Sequence, residues 1–289
     1  METHKNATFL KQFTPEIRWD VKETPVKYLG LGGVSHIHTG YKAIIRNDSG
    51  DCLALQKSSY APMYVQEFTE STQRILEASG FEFQGYQEGR GGRVIISVMK
   101  NNKENIKIGG NKIDDYLMLG NSFDCSYPFF LGTTTELLRC ENQFSHIKEL
   151  SLIKHYKNSA GKRASLMNEI EAYFKNRDLM YNNFNKMIEV NVTPELKEKA
   201  IRYILQLKEE EKLADLRLNK FSKIDTLEIA INAECHDLGN NLWGLFNGVT
   251  KYTTHDLVSK VNNVFGNIFG QANNLNQRAY SFASDLVLS

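Results

Sequence analysis

The sequence predicts an α+β fold, with an antiparallel sheet and an intervening helix in the N-terminal half and a helical C-terminal half packed on it. Between residues 41 and 142, short apolar segments alternate with turn-forming runs, a pattern typical of antiparallel strands. After His155 the composition shifts toward helix-forming residues. The apolar fraction of 41% and the charged fraction of 24% are close to globular averages and exclude a largely disordered chain.

The two halves suggest a simple division of the 289 residues. Residues 1–40 are interpreted as an N-terminal extension, residues 41–160 as a β-rich core with one helix, and residues 161–289 as a mainly helical region that forms one structural unit with the core. No apolar run approaches the roughly 20 residues of a membrane helix, and the first ten residues lack the apolar region of a signal peptide. A cytoplasmic location is therefore expected.

Two hairpins and two further strands are expected in the β-rich core. Residues 41–46 and 52–57 flank four turn-forming residues, and residues 81–87 and 93–99 flank a glycine-rich run. Strands near residues 113–119 and 127–138 complete a single antiparallel sheet of about six strands. Between the hairpins, residues 64–79 carry apolar side chains at helical spacing, and Gly80 is placed to cap that helix.

Several helices are expected in the second half. One begins with Thr193 as its cap and Pro194 at the first helical position, and its apolar stripe continues to about residue 218. Further helices are expected at residues 225–236, 242–252 and 256–271.

The segment 241–255 combines helical periodicity with unusual residue types. At about 100° per residue, four side chains fall in one narrow stripe: Trp243, Asn247, Thr250 and Thr254. Gly244 and Gly248 lie on a neighbouring face, where the absence of a side chain allows another backbone to approach closely. Three interpretations stay open: a structural brace that hydrogen-bonds buried backbone, a ligand or catalytic pocket that includes His255, or an interface with another subunit or a nucleic acid.

The most basic neighbourhood of the chain surrounds the second hairpin. The candidate phosphate-binding residues there are Arg90, Arg93, Lys100, Lys103, Lys107 and Lys112. The net charge of +1 provides no overall attraction to nucleic acid, so binding requires such local clustering. If the hairpins lie side by side, these cations form a positive groove with Tyr86 or Tyr116 available for base stacking. The alternative interpretation is a turn with positive φ and ordinary solubilising charges.

Other chemistry has weaker support in the sequence. There is no Walker phosphate loop and no dinucleotide-binding glycine motif, so no cofactor is expected. The cysteines lack the close pairs of a zinc site, and His36 and His38 alternate so that both are expected on one solvated face; no metal is expected either. Four acidic residues suggest a metal-dependent nuclease only weakly, because no spacing forces them together: Asp114, Asp115, Asp124 and Glu136.

Two groups of short motifs mark the chain. The C-terminal group consists of Trp243-Gly244, Asn247, Thr250-Lys251-Tyr252 and His255. The upstream group consists of Asn121-Ser122-Phe123-Asp124, Arg139-Cys140-Glu141-Asn142 and Lys154-His155. Together they resemble the phage/plasmid-like protein family filed as domain of unknown function 932. The resemblance covers most of the chain after Tyr41, and it departs from the family pattern at Phe123, where histidine is usual, and at Cys125, where glycine is usual.

The resemblance implies a protein of phages and other mobile elements, located in the cytoplasm of a bacterial host cell. A mostly antiparallel sheet with basic hairpins is also similar, more remotely, to single-strand annealing proteins of the Red-beta type. The first hypothesis is therefore a non-enzymatic homo-oligomer, away from membranes, that binds or anneals single-stranded DNA without ATP in recombination or replication. Two alternatives stay open: a protein-binding assembly or anti-defence factor, and an enzyme acting on nucleic acid or a small molecule through His155, His255, Asn247 and Asp124.

Overall fold

The computed structural model describes residues 13–102, 106–137, 142–153, 170–208, 213–257 and 270–288. Within these ranges antiparallel strands fill the N-terminal half and helices fill most of the C-terminal half, so the α+β prediction is confirmed. No helix in these ranges is both long enough and apolar enough to span a membrane.

In the described ranges nine strands and one helix precede the remaining helices. The strands are β1 (Val21–Leu29), β2 (Ser35–Arg46), β3 (Cys52–Lys57), β4 (Glu82–Gly89), β5 (Val94–Lys100), β6 (Ile106–Ile108), β7 (Asn111–Ser122), β8 (Phe129–Leu137) and β9 (Asn142–Ile153). The helices are α1 (Val65–Ser79), α2 (Ile170–Glu189), α3 (Pro194–Leu205), α4 (Leu213–Leu238), α5 (Leu242–Lys251) and α6 (Gln271–Leu288). A π-helical segment, Tyr252–Leu257, continues α5.

The predicted elements of the β-rich region form close to their expected boundaries. The first hairpin joins β2 to β3, the second joins β4 to β5, and β7 and β8 form where strands were expected. Helix α1 ends at the predicted cap, because Gly80 adopts a left-handed φ of 66° and donates its amide to the Leu76 carbonyl.

The strands form two sheets and not the single sheet that the sequence predicted. β1, β2 and β3 form a three-stranded sheet, and the six-stranded sheet has the order β4-β5-β7-β8-β9 with β6 paired to β7. Helix α1 lies between β3 and β4 in the chain, and the two predicted hairpins belong to different sheets. Strand β1 was missed because Pro25 interrupts its apolar pattern, and proline is tolerated in a strand at the edge of a sheet, which is where β1 lies.

Two large apolar cores hold these layers together. Ile44 of β2, Phe68 of α1 and Leu117 of β7 belong to the first core, which packs the small sheet and α1 against the large sheet. The second core joins the helices to the end of the large sheet, where the Phe144 ring of β9 lies 6.1 Å from that of Phe184 and 5.1 Å from that of Phe246. Aromatic packing at this junction ties the helical half to the sheet.

Helix α5 lies in the middle of the second core, and nine of its ten residues are buried. The predicted close approach of another backbone is confirmed. A Cβ atom at Gly248 would lie 2.3 Å from the Cα atom of Ile231 in α4, and a Cβ atom at Gly244 would lie 2.4 Å from the Gly239 carbonyl oxygen. Because the obstructing atoms belong to backbone, only glycine fits at these two positions.

The helix that begins at Pro194 is shorter than predicted. It ends at Leu205, because Gln206 adopts a left-handed φ of 53° and donates its amide to the carbonyl groups of Arg202 and Tyr203. The stripe that was expected to continue to residue 218 therefore belongs to two helices, α3 and α4. Most of the helix expected at residues 256–271 lies outside the described residues, and neither α6 nor β9 was predicted.

A buried ion pair joins the helical half to the large sheet. Nη1 of Arg177 in α2 donates to the Asp115 carboxylate of β7 at 3.1 Å, and both side chains are almost fully buried. Asn101 donates to the same carboxylate oxygen at 3.2 Å, and the guanidinium lies 5.0 Å from the centroid of the Phe174 ring. These additional contacts hold the charges in one arrangement and orient α2 on the sheet.

Replacing Gly248 by alanine is expected to lower the free energy of unfolding by about 1–3 kcal/mol, because the new methyl group meets the Ile231 backbone. This loss outweighs the gain of about 1 kcal/mol that alanine brings to an unconstrained helix. Gly40→Ala is the matched control, since its Cβ would meet only the His38 ring, at 3.3 Å. Urea denaturation of both variants measures the difference. A Gly248→Ala variant as stable as the parent would contradict a direct backbone contact between α4 and α5.

Arg177→Met is expected to cost about 3–5 kcal/mol of unfolding free energy, because it leaves the Asp115 carboxylate buried without its cation. Arg202→Met is the control, since the Arg202–Glu198 pair joins neighbouring turns at the surface of α3, and the loss of such a pair costs about 0.3–0.5 kcal/mol. Adding Asp115→Leu to Arg177→Met should restore much of the stability, because it removes the buried carboxylate that has lost its cation. Denaturation of the parent, Arg177→Met, Asp115→Leu and the double variant completes the cycle, and simple addition of the two single-variant losses would show that the pair is not coupled.

Candidate nucleic-acid interface

The tip of the β4–β5 hairpin carries the two arginines predicted to bind phosphate, and both are exposed. Arg90 has a φ of 52°, a left-handed conformation that glycine adopts more easily, and Gly91 and Gly92 follow at 66° and 84°. Nη2 of Arg90 donates to the Tyr127 hydroxyl at 3.0 Å, and its guanidinium lies 5.1 Å from the centroid of that ring. The turn thus presents Arg90 and Arg93 to solvent at one end of the large sheet.

The predicted lysines lie at the opposite end of the same strands. Lys100 ends β5, and Lys107 pairs with Lys112 across the β6–β7 hairpin, whereas Arg93 precedes the first residue of β5. At about 3.3 Å per residue, β5 alone separates the two groups by roughly 20 Å. Lys103 lies outside the described residues. The basic residues described in the structure therefore form two separate groups and not one continuous groove.

The lysine end of the sheet also contains buried carboxylates. Nζ of Lys100 lies 2.5 Å from the Asp114 carboxylate, which accepts a hydrogen bond from the Tyr116 hydroxyl at 3.4 Å. Glu136 lies opposite Asp114 in the β7–β8 ladder, and both side chains are buried. Burial, followed by the charges of Glu136 and Asp114, raises the pKa of Tyr116. In the part of the chain that the structure describes, no group of three or more histidine, cysteine or acidic side chains is arranged to hold a metal ion.

The two tyrosines expected to stack on bases are not accessible. Tyr86 lies in the first core, with its ring 6.1 Å from that of Phe68 in α1. Tyr116 belongs to an apolar cluster with Met118 and Phe130, two further large-sheet residues. Burial raises the pKa of both tyrosine hydroxyls, and neither ring presents a face to solvent. The expectation of stacking at these positions is wrong, because the alternation of a strand does not show whether its faces are covered.

The polar stripe of α5 forms hydrogen bonds inside the second core. The Asn247 side chain donates to the Trp243 carbonyl at 2.9 Å, and the Thr250 hydroxyl donates to the Asn247 carbonyl at 2.9 Å. That carbonyl also accepts a hydrogen bond from the Asn142 side chain of β9 at 3.3 Å. The sheet supplies the side chain and the helix supplies the backbone group, an arrangement that favours the brace interpretation.

The π-helical segment displaces the last member of the predicted stripe. Thr253 is buried, and its hydroxyl lies 2.8 Å from Oδ1 of Asn276 in α6, whereas Thr254 is only half-buried. A π-helical turn contains more residues than an α-helical turn, so side chains after Lys251 leave the α-helical phase. Thr253, and not Thr254, is the inward-facing residue at this point.

The alternative catalytic residues do not come together where they are described. Asp124 lies in the loop before β8, whereas Asn247 bonds to Asn142, which pairs with Leu137 at the far end of β8. The length of β8 places these ends roughly 26 Å apart. His255 is half-buried in the π-helical segment, and His155 lies outside the described residues. Asp124 and Asn247 are therefore too distant to act on one substrate atom.

A row of aromatic rings that was not predicted lies on the β1–β2 hairpin. The ring centroids of Tyr28 and His36 are 5.5 Å apart, those of Tyr28 and His38 are 6.2 Å apart, and those of His38 and Tyr41 are 5.0 Å apart. Tyr28 is 52% exposed and Tyr41 is 45% exposed, and both histidines are exposed as well. These four residues, hereafter the aromatic row, face solvent on one side of the hairpin.

The turn that closes the hairpin is shaped to fit the row. The Gly30 amide donates to the Val34 carbonyl at 2.9 Å, and the Gly33 amide donates to the Gly30 carbonyl at 3.1 Å. A Cβ atom at Gly30 would lie 2.8 Å from the His36 ring, so glycine leaves the space that this ring occupies. The turn and the aromatic row therefore fit one another closely.

The outer part of this hairpin, beyond Glu23, carries only positive charge. From residue 24 to residue 47 the sequence contains no acidic residue, and its lysines and arginine are Lys27, Lys42 and Arg46. Lys42 and Arg46 form ion pairs with carboxylates outside this stretch. Lys27 is exposed, as is Lys57, the cross-strand partner of Tyr41. The aromatic row therefore has the exposed cation of Lys57 at its margin, and residues 24–47 place no carboxylate beside it.

The sequence contained part of the signal for this surface. The prediction that His36 and His38 share one solvated face is confirmed by their exposure and by the contact of both rings with Tyr28. The pairing of β1 with β2 was not predicted, and this pairing is what brings Tyr28 beside the two histidines. The glycine-rich turn at residues 30–33, with an aromatic residue before it and alternating histidines after it, is the pattern that would have indicated this hairpin.

Comparison with known proteins identifies one family. The family model described as Domain of unknown function (DUF932) matches residues 52–278, which is most of the chain. The match extends from β3 into α6 and includes α5 and the β4–β5 tip, whereas the β1–β2 hairpin precedes it. No curated protein and no solved structure matches the chain.

Proposed function

Because this chain belongs to the DUF932 family, whose description assigns no activity, we propose a function from the chemistry of the chain's own surface. The protein binds single-stranded DNA and anneals complementary strands without ATP. It serves recombination or replication of a phage or another mobile element in the cytoplasm of a bacterial host. The observation that carries this proposal is the aromatic row on the β1–β2 hairpin.

Stacking is the interaction that the aromatic row favours. Neighbouring rings in the row lie 5.0–6.2 Å apart, and the tyrosine at each side of the histidines is about half exposed. Stacking on aromatic side chains contributes about 1–3 kcal/mol per base and depends little on sequence, because every base has a π-face. The bases of a duplex are stacked on one another, so a row of this kind selects a single strand.

Phosphate contacts come from cations beside the row and at the β4–β5 tip. Lys57, the cross-strand partner of Tyr41, lies at the margin of the row. The tip is adjacent to the base of the same hairpin, since a Cβ atom at Gly92 would lie 2.5 Å from Nη1 of Arg46. Arg90 and Arg93 at that tip can therefore contact the backbone of a strand whose bases stack on the row. Lys100 contributes less, because its charge is compensated by Asp114.

The remaining exposed basic residues can contact only a longer DNA strand. Lys107 and Lys112 are exposed on the β6–β7 hairpin, beyond the end of β5 that is opposite the arginines. A DNA strand that runs along β5 from the β4–β5 tip would contact Arg90 and Arg93 first and would reach the two lysines only at the far end of β5. The arginines are therefore the primary backbone contacts, and these two lysines are secondary ones.

Removing the aromatic row is expected to weaken binding to a fluorescent oligothymidine at least tenfold, because each lost stack costs about 1–3 kcal/mol. The variant is Tyr28→Ala combined with Tyr41→Ala, and fluorescence anisotropy at low salt measures its dissociation constant. Tyr203→Ala is the matched control, since Tyr203 is 47% exposed on α3 in the other half of the chain. Equal affinities of the double variant and the control would remove the aromatic row from the proposal, and no binding by the parent protein would refute the proposal itself.

Removing the tip arginines is expected to change how affinity depends on salt. Each phosphate contact on a single strand contributes about 0.7 to the slope of log affinity against log salt concentration, so Arg90→Gln with Arg93→Gln should lower that slope by about 1.4. Arg74→Gln on the exposed side of α1 is the control and should leave the slope unchanged. An unaltered slope in the double variant would show that the tip does not contact the strand.

A further inference from the structure

The side of the β1–β2 hairpin opposite the aromatic row is apolar. Lys27 pairs with Ile37 and Leu29 pairs with Ser35, and these pairs alternate with the Tyr28–His36 pair, so they lie on the other face. Four aliphatic residues dominate that face and the adjoining turn: Leu29, Leu31, Val34 and Ile37. They are hereafter the apolar face.

The apolar face is unusually exposed for aliphatic side chains. The exposed fractions are 76% for Leu29, 103% for Leu31, 57% for Val34 and 58% for Ile37. Together they amount to about three fully exposed side chains, on the order of 300 Å² of apolar surface, which is the size of the patches that mark interaction sites on monomers. Among the described residues, neither large core includes any of these four side chains.

The hairpin itself requires support. Beyond Tyr41, the last residue of β2 that pairs with β3, the hairpin is only two-stranded, and such a ribbon is at best marginally stable in water when neither face is covered. The turn between its strands is nevertheless defined by two backbone hydrogen bonds and by the fit of Gly30 under the His36 ring. Covering the apolar face would add the burial that the isolated ribbon lacks.

We propose that the apolar face is the surface through which two copies of this chain associate about a two-fold axis. In such a dimer each copy buries the same patch against its partner, so the four aliphatic residues face one another. About 300 Å² of apolar surface per copy gives about 600 Å² in all, below the roughly 1,000 Å² of a stable interface, so the dimer is a weak and reversible one. This proposal concerns the other side of the hairpin and does not depend on DNA binding.

The distribution of charge sets the orientation of the two hairpins. Lys27 is the charged residue of the apolar face, and it lies toward the base of the hairpin. An antiparallel arrangement with its two-fold axis at Leu29 places the two Lys27 side chains on opposite sides of the axis, about 13 Å apart along the strands. A parallel arrangement would bring the two ammonium groups together, so the antiparallel arrangement is the favoured one.

Association occurs through the face and not through the edge of the small sheet. β1 is an edge strand, and Pro25 and Lys27 are both features that hinder the addition of another strand at an edge. The aromatic row stays on the outer side of each hairpin in the resulting dimer. Two strand-binding surfaces are thereby presented by one particle, and both can be occupied while the dimer is intact.

Sedimentation velocity without DNA, from about 1 to about 300 µM protein, tests the proposal because interfaces of this size dissociate in that range. The full chain is expected to change from monomer to dimer with increasing concentration. Leu31→Ser with Ile37→Thr should raise the dissociation constant at least tenfold. Ile229→Thr is the matched control, since Ile229 is 68% exposed on α4, and it should associate as the parent does.

A second variant separates loss of association from loss of folding. Leu31 lies entirely in solvent at the turn, so Leu31→Lys should keep the circular dichroism spectrum and the thermal midpoint of the dilute parent while it weakens the dimer. A parent that stays monomeric throughout the range would overturn the proposal, as would a Leu31→Lys variant that dimerises like the parent. An unchanged mass distribution together with altered oligonucleotide affinity in Leu31→Lys would assign this face to nucleic acid instead. Because the measurement contains no DNA, a failure of the proposed function would leave its result unaffected.

Discussion

The direct contact between the backbones of α4 and α5 is the constraint on which the helical half depends. Gly244 and Gly248 remove the side chains that would otherwise separate the two helices, and Ile231 packs into the space at Gly248. The opposite side of α5 is then free to carry large rings, and Phe246 packs against Phe144 of the large sheet. The glycines therefore determine how far α5 lies from α4 and, through Phe246, where the whole helical half meets the sheet.

Local sequence patterns predicted the elements that depend on local chemistry. The period of α1 and its cap at Gly80, the β4–β5 hairpin and the glycine contact of α5 follow from residue spacing and from the freedom of glycine. Position 125 is a further case. The resemblance noted glycine as the usual residue there, and Cys125 has a φ of 60°, a conformation that glycine adopts without strain.

Features that depend on tertiary surroundings could not be predicted in this way. Gln206 has no special helix-ending character, yet it adopts the left-handed conformation that ends α3. The inward position of Thr253 results from a π-helical turn, which ordinary helical spacing does not indicate. The burial of Tyr86 and Tyr116 depends on what covers each face of the large sheet, and a single strand carries no information about its covering layers. The candidate site was affected most, because exposure determines which aromatic residues can bind a ligand.

The irregular pairing of β1 with β2 determines which face of the hairpin each side chain occupies. Pro25 pairs with Lys42 whereas its neighbour Val26 pairs with His38, so three residues of β2 are accommodated at one step of β1. Side chains on a regular strand alternate, and His38 and Tyr41, three positions apart, would then point to opposite faces. Because the number of extra residues in β2 is odd, the alternation of side chains is reversed at this point, and the rings of His38 and Tyr41 lie on the same side of the hairpin. An even number of extra residues would place His38 and Tyr41 on opposite faces, so the length of this bulge determines that one face of the hairpin is aromatic and the other aliphatic.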